Sequence, residues 1–116
     1  MHGLIPYHTH ALHLQLGGVD VELLAIQNLD QAIDQLCELI ESRGGTEDPL
    51  APDLCPYFGL LWPAGQALAR YVEGLGPELK DKSVLEIGCG LALPSLVAAR
   101  LGARVLATDF HPDVEQ

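Results

Sequence analysis

At 116 residues the chain is one domain at most, and 48% hydrophobic side chains give it the balance of a globular protein and exclude wholesale disorder. Sixteen acidic against six basic side chains leave a formal net charge of -10, which repels DNA and RNA at long range and removes nucleic acid from the expected partners. No apolar run approaches the roughly 18 residues of a membrane span, and no basic-then-apolar leader opens the chain, so the expectation is a cytoplasmic protein without membrane contact.

In chain order, Ala11 to Leu16 alternates in polarity, Gly17-Gly18 follows, and Val19 to Leu23 alternates again, which predicts a β-hairpin with a two-residue turn. Pairing Leu16 with Val19, Leu14 with Val21 and Leu12 with Leu23 places all six apolar side chains on one face. That face needs cover. The expected cover is a helix opening at Asp30 as N-cap and closing at Gly44, along which Leu29, Ile33, Leu36, Cys37 and Ile40 recur at helical spacing. Asp34, Glu38 and Glu41 lie on its other side. Residues 44–56 hold three prolines and read as a linker, which divides the chain into a hairpin-plus-helix extension with its linker over 1–55 and a second part over 56–116. His8, His10 and His13 invite a metal reading, but no cysteine ligand or carboxylate stands at zinc spacing, so no metal site is expected. Cys37, Cys55 and Cys89 form no C-x-x-C pair and read as reduced thiols.

A second helix starts at Pro63, in the favoured first turn, carries Leu68, Tyr71 and Val72, and stops near Gly74 and Gly76. Then come a strand from Ser83 to Ile87, a helix from Leu93 to Leu101 with Gly102 as its stop, and a strand from Arg104 to Thr108. This is one βαβ unit built to hold a nucleoside. Gly88 and Gly90 remove Cβ atoms where backbone passes close to a ligand, and the helix that follows offers unpaired N–H groups near its start. Asp109 stands 21 residues beyond Gly88, near the spacing at which a carboxylate at the tip of the next strand accepts hydrogen bonds from ribose hydroxyls. A G-x-G-x-x-G dinucleotide fingerprint would need a small residue where Leu93 stands, and no G-x-x-x-x-G-K-[ST] phosphate cradle occurs. What remains is Glu86-x-Gly88-x-Gly90-x-Ala92.

Through Val84 to Gly90 and the strand end Thr108-Asp109, the chain resembles the seven-strand S-adenosylmethionine-dependent methyltransferases. The stretch Pro56 to Ala69, with Trp62-Pro63 at its centre, is similar to the segment before that motif in the lysine methyltransferase branch, which contains the electron transfer flavoprotein β-subunit lysine methyltransferase and bacterial relatives. Ala92 departs from the third glycine of the commonest pattern. The resemblance implies an α/β class: the start of a Rossmann-like fold, with an incomplete sheet, preceded by the hairpin and helices. Because the resembled fold has seven strands, the chain reads as the N-terminal fragment of a longer enzyme, marginally stable, exposing apolar surface and expected to be inactive alone, with the methyltransferase activity belonging to the full-length parent.

The implied cofactor is S-adenosylmethionine, with Trp62, Glu86, Gly88, Cys89, Gly90, Asp109 and Phe110 as its expected contacts. For several of these a plainer role stands beside the implied one. Glu86 either lies beside the cofactor's amino acid moiety or caps the following helix. Trp62 either lines the pocket or packs at the helix entry, and Phe110 either flanks the adenine or is a buried aromatic. Cys89 is not expected to be a nucleophile, because this chemistry needs no covalent enzyme intermediate. The implied reaction is methyl transfer to nitrogen, on the lysine of a basic or lysine-bearing protein, with a small amine as the alternative acceptor. A non-catalytic cofactor- or partner-binding fragment is the reading from outside the enzymes. In the resembled family the groups that orient the acceptor follow the fourth strand, beyond Gln116, so the sequence assigns no catalytic residue.

Overall fold

A computed structural model of the chain describes residues 7–42, 55–111 and 113–114. The alternating N-terminal segments form β1 (Thr9–Leu16) and β2 (Val19–Ile26), antiparallel and in the expected register, with Leu16 opposite Val19, Leu14 opposite Val21 and Leu12 opposite Leu23. Gly17 takes φ 58°, the left-handed conformation that a tight two-residue turn demands. The apolar face lies inward: Leu16, Val19, Val21 and Leu23 are buried, with Leu12 and Leu14 packed at the margin.

The cover differs from the expectation. Two later helices, α2 (Pro63–Leu75) and α3 (Leu93–Arg100), bring Ala69, Leu93 and Val97 onto the hairpin face and form one core with it. The first helix, α1 (Leu29–Ser42), instead lays Ala32 and Leu36 on Ile26 at the end of β2, beside Tyr7. A hydrophobic stripe specifies that a surface must be covered, not by which element. The N-cap of α1 is Asn28, whose Oδ1 accepts the Gln31 N–H at 3.0 Å, so Asp30 sits in the first turn instead of capping it. Cys37, expected on the inner stripe, is exposed. The expected stop at Gly44 and the linker as far as residue 54 lie outside the described residues.

A 3₁₀ turn over Tyr57–Gly59 precedes α2, which begins with Pro63 in its first turn, as the sequence predicts. Of its apolar side chains, Ala69 is fully buried while Leu68 and Tyr71 face out. A small residue at the contact allows α2 to approach α3 and the hairpin closely. Strands β3 (Ser83–Ile87) and β4 (Arg104–Thr108) pair in parallel, joined through α3, with Ser83 opposite Arg104 and Ile87 opposite Thr108. Among the described residues the result is a mixed α/β architecture with two two-stranded sheets. Along β3 and β4 the half-buried Val84, Glu86 and Val105 alternate with Leu85, Ile87 and Leu106, which are 59%, 81% and 62% exposed. One face of this sheet is thus supported by α3 and the other is open. Among the described residues, no helix is long and apolar enough to cross a membrane.

Candidate functional site

Where β3 ends at Ile87 the chain must turn sharply to enter α3 at Leu93, and the turn is made by glycine. Gly88 and Gly90 take φ 66° and 53°. A Cβ on Gly90 would stand 3.1 Å from the Phe58 carbonyl oxygen, so the loop lies directly against the backbone of the 3₁₀ turn. A Cβ on Gly88 would meet only open space, so its backbone conformation, and not crowding, calls for glycine there. Ala92, at the position of the missing third glycine, also adopts a left-handed conformation, φ 61° and ψ 32°, which costs an L-residue roughly 1–2 kcal/mol.

The loop is tied to the end of β4. The Cys89 N–H donates to the Thr108 carbonyl at 2.9 Å, and the Gly90 N–H donates to Asp109 Oδ2 at 2.7 Å. The other carboxylate oxygen, Oδ1, accepts the His111 N–H at 3.1 Å. The two features that the sequence set apart by 19 residues, Gly90 and Asp109, are therefore in direct contact. Together they form the floor of a cleft of about 720 Å³ whose lining includes Trp62, Glu86, Gly88, Cys89, Gly90, Asp109 and Phe110. That volume lies within the ~300–1,000 Å³ usual for small-molecule sites. It opens at the carboxyl ends of parallel strands, where open α/β sheets bind ligands.

These observations decide among the plainer roles. Glu86 Oε1 accepts both the Ser95 N–H, at 3.2 Å, and the Ser95 hydroxyl, at 2.5 Å, so Glu86 satisfies an orphan donor in the first turn of α3 while lining the cleft. Phe110 is 68% exposed and is not a buried aromatic. Trp62 is 48% exposed at the cleft rim, with its indole N–H donating to the Tyr57 carbonyl at 2.9 Å and its ring meeting Tyr57 edge-on. Burial, followed by the Asp109 and Glu86 carboxylates, pushes the Cys89 thiol above its usual value. It stays protonated near neutral pH, a poor state for a nucleophile.

No protein-family model matches the chain. Over 88 residues it is 42% identical to histone-arginine methyltransferase METTL23 of Xenopus laevis, a match covering 72% of this chain and 38% of that protein. Over 96 residues it is 35% identical to the electron transfer flavoprotein beta subunit lysine methyltransferase of Danio rerio, covering 80% of this chain and 37% of that protein. The human protein of the same name is 41% identical over 64 residues, covering 54% of this chain and 24% of the relative. By sequence the chain is related to protein methyltransferases. It spans less than two fifths of the length of these curated relatives.

The cleft offers groups whose chemistry suits a hydroxyl-bearing, positively charged nucleoside. Each Asp109 oxygen accepts one backbone N–H and retains a lone pair for a hydroxyl. The exposed rings of Trp62 and Phe110 offer apolar faces for a base, and the Glu86 and Asp109 carboxylates place negative charge beside a cation. Sequence reasoning missed Ser95, Phe58, His111, Asp113 and Tyr7. A signal existed for Ser95, a hydroxyl in the first turn of a helix whose N-cap, Ala92, has no capping group. Tyr7 and Phe58 act through tertiary contacts, and His111 and Asp113 also through bonds to residues two positions away.

Proposed function

We propose that the protein is an S-adenosylmethionine-dependent methyltransferase of Rossmann-like fold that transfers a methyl group to nitrogen on a protein, with lysine as the acceptor. The observation that carries this reading is the direct bond between the Gly90 N–H and the Asp109 carboxylate on the floor of one cleft. Residues 56–116 form the cofactor-binding part, with 1–55 as an extension. When bound, the cofactor supplies an electrophilic methyl group on its sulfonium. Asp109 accepts the ribose hydroxyls, Gly88 leaves its open side to the ligand backbone, and Trp62 and Phe110 pack on apolar surface at the two margins. Glu86 holds the start of α3 in place and contributes negative charge near the sulfonium.

Lysine, with a reference pKa of about 10.4, must enter as the neutral amine and be aligned with the methyl carbon. The names of the relatives favour a protein acceptor over a small amine. A second reading, arginine as acceptor, is supported by the histone-arginine relative. Incubation of a form extended to the length of the curated relatives with isotope-labelled S-adenosylmethionine and a cell lysate, followed by peptide mass spectrometry, tests both. Label on a lysine side-chain nitrogen is expected, label on arginine would move the acceptor assignment, and label only in small molecules would contradict the proposal.

A further inference from the structure

We propose that Tyr7 is a positioning residue for cofactor binding: through Asp113 and His111 it holds the Asp109 carboxylate where it meets the ribose. The inference rests on the cofactor reading above and extends it to a residue far from the motif. Tyr7 lies just before β1 and is not among the residues lining the cleft. Its hydroxyl nevertheless donates to Asp113 Oδ2 at 2.5 Å, across 106 positions of sequence. Asp113 is 1% exposed, and its N–H donates to Nδ1 of the buried His111 at 3.0 Å. The His111 N–H donates in turn to Asp109 Oδ1, while Asp109 Oδ2 accepts the Gly90 N–H. Tyr7, Asp113, His111, Asp109 and Gly90 thus form one continuous relay of contacts from the hairpin to the glycine loop.

Packing follows the same route. The Phe58 ring stands edge-on to Tyr7, with centroids 5.8 Å apart, and 4.6 Å from the His111 ring. The carbonyl of the same Phe58 lies against Gly90, so this residue touches both ends of the relay. On the hairpin side, the Gln27 N–H donates to the His8 carbonyl at 2.9 Å, which fixes the chain next to Tyr7 to the exit of β2. Burial, then the hydrogen bond and charge of Asp113, push the Tyr7 phenol well above its ordinary value, so it remains a donor throughout the accessible pH range. A carboxylate binding two hydroxyls needs its plane set in advance, because freedom lost on binding subtracts from affinity. Backbone donors fix both Asp109 oxygens, and Tyr7 anchors the segment that carries one of them.

The test uses Tyr7→Phe, which removes only the hydroxyl and leaves the ring on Phe58. Calorimetric titration with S-adenosylhomocysteine is expected to show about tenfold weaker binding than the unsubstituted protein. Combined with Asp109→Asn, the substitution is expected to add little, because Tyr7 acts through Asp109. Without any ligand, the Gly90 and His111 amides are expected to exchange with deuterium faster in Tyr7→Phe, while the amides between β1 and β2 keep their protection. Unchanged affinity, a loss fully additive with Asp109→Asn, or unchanged exchange at Gly90 would each overturn the role of Tyr7. If the unsubstituted protein fails to bind S-adenosylhomocysteine, the cofactor reading falls and the role of Tyr7 falls with it, even where Gly90 exchange still responds to the substitution.

Discussion

The hairpin and the β3–β4 sheet are both two-stranded, yet their apolar side chains meet opposite fates. In the hairpin, Val19, Val21 and Leu23 of β2 are buried under α2 and α3, and the strands serve packing. In β3 and β4 the residues toward α3 are only half-buried, and Leu85, Ile87 and Leu106 stand open. What this second sheet does supply is polar and local: two backbone N–H bonds onto Asp109, a Glu86 cap on α3, and a glycine turn pressed against Phe58. Burial is concentrated where the sequence alternates, and the cleft where it carries glycine and carboxylates. Helix α3 belongs to both, burying Leu93 and Val97 in the hairpin core while its first turn borders the cleft.

That contrast can be broken or sharpened by substitution. The largest effect is expected at the shared helix: Leu93→Ala, at a site 2% exposed, should cost about 2–5 kcal/mol in urea denaturation. The same change at Leu106, 62% exposed, should cost under ~0.5 kcal/mol, and equal losses at the two sites would erase the distinction between the sheets. Next comes Asp109→Asn, which keeps the size of the side chain but removes its charge. It should weaken S-adenosylhomocysteine binding by about 1.5–3 kcal/mol in calorimetry, the range for hydrogen bonds to charged groups. Smaller again, Ala92→Gly relieves a left-handed alanine and should raise stability by about 1 kcal/mol, seen as a higher denaturation midpoint. Last, iodoacetamide at neutral pH should label exposed Cys37 before Cys89, whose thiol is held protonated by burial and neighbouring carboxylates. Faster labelling of Cys89 in a peptide-mass time course would mean that the loop activates its thiol.

The hairpin register was legible because Leu12, Leu14 and Leu16 face Leu23, Val21 and Val19 across two glycines, and a slip of one residue would put one strand's three on the opposite face from the other's. The βαβ unit was equally legible, since Gly102 ends α3 and short apolar runs bound each strand. The glycine loop and Asp109 could be named as partners from their spacing, and their contact at the strand ends follows from parallel pairing. The cap of α1 was misplaced because Asn28 and Asp30 are both good caps, and only the reach of Asn28 to the Gln31 N–H separates them. Helical spacing around Leu68 and Tyr71 marked an apolar stripe, but the close approach of α2 to α3 selected the small Ala69 for the contact. Nothing local marked Tyr7, because its partner Asp113 lies at the other end of the chain.

The central claim is that the glycine turn and the Asp109 carboxylate jointly hold an adenosyl sulfonium compound. Titrating isotope-labelled protein with S-adenosylhomocysteine while following backbone amide resonances tests it most directly. Saturable shifts concentrated at Gly88, Cys89, Gly90, Asp109 and Phe110, with the hairpin turn at Gly17-Gly18 unmoved, are the predicted result. Shifts absent from the glycine turn, or no saturation at millimolar ligand, would contradict the account.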